Sequence, residues 1–107
     1  MNITTNTLKE CHQKVEELAS MVTKEARKRF GSATKVYWFG SWIKETAVET
    51  SDIDLAIDSP EQLSVQEFSR FTEWVEELPT LYSFDIINMN EISEQFKMRI
   101  QNEGKTL

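Results

Sequence analysis

The stretch from Asp52 to Ile57, Asp-Ile-Asp-Leu-Ala-Ile, alternates acid with aliphatic and then loses the pattern at Ser59-Pro60. Residues two apart in a strand face the same way. The alternation therefore predicts a strand with one face on the core, carrying Ile53, Leu55 and Ile57, and one outside, where Asp52 and Asp54 project together. Upstream, Val36-Tyr37-Trp38-Phe39 is a short β-branched and aromatic run that ends abruptly at Gly40-Ser41, which predicts a buried strand. A fold that satisfies both segments aims two carboxylates at one point.

The flanking segments read as helices. Leu8, Cys11, Val15, Leu18 and Val22 recur at spacings of three and four, which predicts a helix from about residue 7 to residue 30, with Gly31 as its stop. Val65, Phe68, Phe71, Val75 and Leu78 predict a second over residues 64 to 78, acidic on its water face and broken by Pro79. Leu81 to Ile87, around Asp85, predicts a third strand, and Ile92, Phe96 and Ile100 lie on one face of a last helix from about residue 91. The order α-β-β-α-β-α predicts an α+β fold, a small mixed β-sheet flanked by helices.

At 107 residues the chain suits a single domain over 1–107. A net charge of -6 argues against a broad basic surface, so no direct nucleic-acid binding is expected and any nucleotide must be held locally. The charge is unevenly spread: residues 41 to 58 hold five acids and only Lys44 as a base, a cluster that repels itself unless cations sit within it. Cys11 is the only cysteine, which excludes an internal disulfide and a cysteine-based zinc cage. No leader-like pattern is present, and no apolar run approaches the roughly 20 residues of a membrane span, so the chain is expected to be soluble and cytoplasmic.

If the strand carrying Asp85 lies alongside that of Asp52 and Asp54, a third carboxylate joins the first two and supplies the hard oxygen ligands that Mg²⁺ prefers. Metal-assisted phosphoryl chemistry commonly uses two ions about 3.5 to 4 Å apart, a pair that three aspartates can bridge. Gly40, without a Cβ, lets backbone approach an anion closely, and Ser41 adds a hydroxyl donor to terminal phosphates.

Taken together, Gly40-Ser41, then Asp52-Ile53-Asp54, then Asp85 within Phe84-Asp85-Ile86-Ile87, resemble the signature of the DNA polymerase β-like nucleotidyltransferases. The short chain looks like their minimal nucleotidyltransferase branch, whose members are typically paired as antitoxins with HEPN-domain toxins. The resemblance implies that Gly40 and Ser41 bind triphosphate and that Asp52 and Asp54 ligate Mg²⁺. It further implies that Asp85 completes the metal site and helps deprotonate the acceptor. ATP is the implied donor, and a tyrosine hydroxyl of the HEPN partner the implied acceptor. Two positions depart from the branch: Trp42 stands where Arg is frequent, and Glu45 where Gly is frequent. Lys44 remains as a candidate phosphate contact.

Other residues have plainer readings. His12, the only histidine, sits beside Cys11 on an amphipathic helix, where both are expected to be structural. Trp38 and Trp74 are expected in packing, whereas Trp42 is a candidate for the nucleotide pocket or a partner surface. The cluster Lys24, Arg27, Lys28 and Arg29 is expected to be a solvated helix face. Two rival functions stand beside adenylylation of a toxin. One is nucleotidyl transfer to a small molecule bound by a separate helical subunit; the other is neutralisation of a partner by contact alone.

Overall fold

The computed structural model describes residues 3–44, 47 and 51–107, with side chains from residue 10 onward. Its elements are α1 (Ile3–Phe30), β1 (Lys35–Phe39), β2 (Ile53–Asp58), α2 (Val65–Glu76), β3 (Phe84–Asn88), a 3-10 turn (Met89–Glu91), α3 (Glu94–Glu103) and β4 (Lys105–Thr106). The expectations for the Leu8 side chain and for Glu45 lie outside the described residues. The four strands form one mixed sheet in the order β3-β2-β1-β4. β1 runs antiparallel to β2 and to β4, and β3 runs parallel to β2, reached by a crossover through α2.

Local chemistry explains where the helices begin and end. α1 stops at Gly31, whose φ of 111° is a left-handed conformation glycine adopts without penalty; its N–H donates to the Arg27 carbonyl at 3.0 Å. The Ser64 hydroxyl accepts from the Glu67 N–H at 3.1 Å while the Glu67 carboxylate accepts from the Ser64 N–H at 3.2 Å. Such a capping box sets the start of α2 and is worth about 1 kcal/mol. Ser93 caps α3 through its hydroxyl, which accepts from the Phe96 N–H at 3.2 Å. Arg27 departs from the expected solvated face. Its guanidinium donates to the carbonyls of Thr34, at 3.1 Å, and Leu107, at 2.6 Å, and so ties α1 to the chain end.

The sheet buries both faces, unequally. On the first, Val15, Ala19, Val22 and Ala26 of α1 and Phe71 and Val75 of α2 pack on Val36, Trp38, Ile53, Leu55 and Ile57. Full burial of side chains of this size stabilises by about 1.5–3 kcal/mol each relative to exposure. Ile53, Leu55 and Ile57 point inward as their spacing requires. The opposite face of β2 is not wholly outside, contrary to the simple alternation: Tyr37, Ala56, Met89 and Ile100 form a second, smaller core with Phe39, Ile87 and Ile92 against it. The 3-10 turn and α3 cover that face only in part.

Boundaries differ from the sequence reading where apolar residues stay in water. Val65 and Leu81 are 77% and 104% exposed, so α2 contributes Phe71 rather than Val65 to the core, and β3 begins at Phe84. Strand β4, only Lys105–Thr106, pairs with Tyr37 and Trp38 and was not expected. Among the described residues no helix is long and apolar enough to cross a membrane.

Candidate active site

Strand register builds the site. Phe39 lies opposite Asp54 in the β1–β2 pairing, and Asp54 lies opposite Asp85 in the β2–β3 pairing. Residues directly opposite in a sheet share a face, so Phe39, Asp54 and Asp85 form one row across three strands. The next row on that face, Tyr37, Ala56 and Ile87, belongs to the smaller core. The acids therefore sit at the edge of the part that α3 and the 3-10 turn cover. Asp54 is half-buried there, while Asp52, just ahead of β2, and Asp85 are exposed.

Electrostatics links the three carboxylates. Burial, then the charge of Asp85, then that of Asp52, push the Asp54 carboxyl up to about 6. The largest cause is desolvation, and the other two are like charges that a cation would neutralise.

Gly40 closes the row on the β1 side. Its φ is 84°, and a Cβ built on it would overlap Asp54 Oδ2 and lie 2.9 Å from Asp54 Cγ. Two independent facts thus require glycine here: a left-handed backbone and a carboxylate where a side chain would stand. Residues 41–44 then form a turn, closed by the Lys44 N–H donating to the Gly40 carbonyl at 3.1 Å, with Ser41 half-buried within it. Beside the turn, against α3, lies a cleft of about 230 Å³ lined by Phe39, Gly40, Lys44, Phe96, Arg99 and Glu103.

Residues 12–107 match the family model described as "Polymerase beta, Nucleotidyltransferase". The chain belongs to this family. It is 37% identical over 67 residues to the protein adenylyltransferase MntA of Thermococcus cleftensis, a match covering 60% of this chain and 67% of that one. A solved structure of a candidate nucleotidyltransferase from Sulfolobus solfataricus superposes with a TM-score of 0.62 at 19% identity, covering 91% of this chain and 82% of that one. The second likeness is one of fold.

The all-oxygen chemistry of Asp52, Asp54 and Asp85 is of the kind that could hold a hard cation such as Mg²⁺. Among the described residues, however, no group of three or more His, Cys, Asp or Glu side chains stands close enough to enclose a metal. The row brings Asp54 and Asp85 side by side with Asp52 within electrostatic reach, but three like charges do not gather at ligand distance on their own.

Trp42, expected at the nucleotide pocket or a partner surface, is placed inward. It is only 3% exposed and packs in the main core, with its Nε1–H donating to the Ser51 carbonyl at 3.1 Å and its ring beside His12 and Tyr82. An indole is amphipathic enough to turn inward from a polar turn once a backbone carbonyl takes its N–H. Trp38 and Trp74 pack as expected, Cys11 rests against the core, and His12 stacks on Trp38 at 5.7 Å. Arg99 and Glu103 were not singled out by sequence, because charged residues at helical spacing look like any solvated face.

Proposed function

We propose that this chain, acting as one domain over residues 1–107, moves AMP from ATP to a hydroxyl of a partner protein in the cytoplasm. The acceptor is a tyrosine of a HEPN toxin, which adenylylation silences. The observation that carries the reading is the row of Asp54 and Asp85 beside Gly40. Similarity to a protein named as an adenylyltransferase supports the choice of AMP and of a protein acceptor.

Asp52, Asp54 and Asp85 would hold Mg²⁺, in two ions by family analogy. When bound, the metal neutralises the phosphates and the leaving pyrophosphate. Gly40 lets the backbone approach the phosphates, the Ser41 hydroxyl donates to them, and Lys44 offsets their charge. The acceptor oxygen attacks the α-phosphorus as the bond to pyrophosphate breaks, and its proton passes to Asp85. That carboxylate is exposed on an edge strand, where a hydroxyl carried by another protein can reach it, whereas Asp54 is half-buried. Positioning and charge neutralisation supply most of the rate, since phosphoryl transfer asks little covalent chemistry of the protein.

The test is to incubate the chain with its HEPN partner, ATP and Mg²⁺ and to weigh the partner. A gain of one AMP on a tyrosine supports the proposal. An unchanged partner with AMP transferred to an added small molecule replaces the acceptor. Neutralisation in cells that survives Asp52→Asn with Asp54→Asn points to binding alone.

A further inference from the structure

The cleft beside Gly40 holds a charge arrangement that the triad of acids does not use. Lys44 Nζ and Arg99 Nε, from the turn and from α3, both approach the same atom, Glu103 Oε2, at 3.5 and 3.6 Å. One carboxylate oxygen shared by two cations leaves an excess of positive charge, in a chain whose net charge is -6. All three side chains are about half or more exposed, at 50%, 67% and 49% for Lys44, Arg99 and Glu103. Exposed pairs of this kind contribute little to stability, so exchange for a better anion costs little. The cleft adjoins Gly40, where the Asp54 carboxylate begins the row of acids.

The turn itself presents only Lys44 as a cation among the described residues. A triphosphate leaving the acids along this turn carries charge that one exposed lysine does not balance. Arg99, on the opposite wall, offers a planar fork suited to two phosphate oxygens.

We propose that Arg99 and Lys44 together form the subsite for the terminal phosphates of the nucleotide, and that Glu103 fills this subsite until the nucleotide displaces it. The inference rests on the nucleotidyl-transfer reading and adds to it a wall contributed by α3. Glu103 is a negative gate: it holds the two cations in position and competes with the incoming phosphates.

The experiment is a titration of the full chain with ATP in excess Mg²⁺, followed by calorimetry, together with competition by inorganic tripolyphosphate. Arg99→Ala, exposed enough to leave the fold intact, should weaken ATP about tenfold, the scale of a lost charge-assisted contact, and weaken tripolyphosphate equally. Arg99→Lys should recover part of the loss, and Glu103→Gln should tighten ATP. Equal ATP affinity in Arg99→Ala and the parent, with the parent binding well, overturns the subsite and leaves nucleotidyl transfer standing. A loss for ATP without one for tripolyphosphate assigns Arg99 to the nucleoside and overturns it too. Weaker ATP binding in Glu103→Gln overturns the gate. Absence of ATP binding by the parent overturns both the subsite and the reading beneath it.

Discussion

The carboxylate of Asp54 occupies the space that a side chain on Gly40 would need. This single contact couples the turn to the acids, so a change at either position is felt by the other.

Gly40→Ala should be the most damaging small substitution at the site. The added methyl group must displace the Asp54 carboxylate, and the φ of 84° is strained for any residue with a Cβ. A stability loss of about 1–3 kcal/mol is expected, seen as a lower thermal midpoint, with activity falling at least tenfold. A variant that melts and turns over like the parent would refute the contact.

Asp54 predicts a pH dependence in the absence of divalent ions. The folded state keeps its proton until about pH 6, whereas the unfolded chain releases it near the ordinary carboxyl value of 3.8. Between these values the folded state binds more protons. The stabilising contribution is therefore complete below the lower value and is lost as pH rises through the higher one. Subtracting the stability of Asp54→Asn from that of the parent, by thermal melts in chelator across this range, should expose a downward slope that levels off above about pH 6. Mg²⁺ should remove the deficit at neutral pH. Asp85→Asn, which deletes the larger of the two charge effects, should shift the slope to lower pH.

Trp42 separates a core role from a stacking role. Trp42→Ala should cost about 3–5 kcal/mol through the cavity it leaves. Trp42→Phe, which keeps a ring but not the donor to Ser51, should cost less and leave the KM for ATP unchanged. A large KM change with unaltered thermal stability in Trp42→Phe would return the ring to the nucleotide pocket.

Ile100 anchors α3 over Tyr37, Ala56 and Met89. Its replacement by Ala should destabilise by about 2–5 kcal/mol. Because Arg99 and Glu103 ride on the same helix, ATP affinity should fall with it even at temperatures where the domain stays folded. Calorimetric titration alongside a melt checks both effects.

The common facing of Asp52 and Asp54 was legible in the sequence for a simple reason: the period of two in Asp52 to Ile57 fixes facing whatever the neighbours are, whereas the place of Asp85 opposite Asp54 depends on the β2–β3 register. Gly40 was legible as a turn, though its need to clear Asp54 shows only once β1 and β2 are in register. The second core was hidden because Ala56 is small, Tyr37 carries a hydroxyl, and Met89 and Ile100 are distant in the chain. Strand β4 was hidden because two polar residues carry no pattern. The burial of Trp42 was not legible, because it involves a carbonyl at Ser51 that spacing does not reveal.

The parallel pairing of β2 with β3 has a consequence for how the protein comes to life. Parallel neighbours require the chain to travel out through α2 and return before Asp85 can meet Asp54. Closing the longer connection from β2 to β3 costs more chain entropy than closing the one from β1 to β2. A nascent or clipped chain that lacks β3 would thus carry Asp52 and Asp54 without the Asp85 on which the proposed chemistry relies.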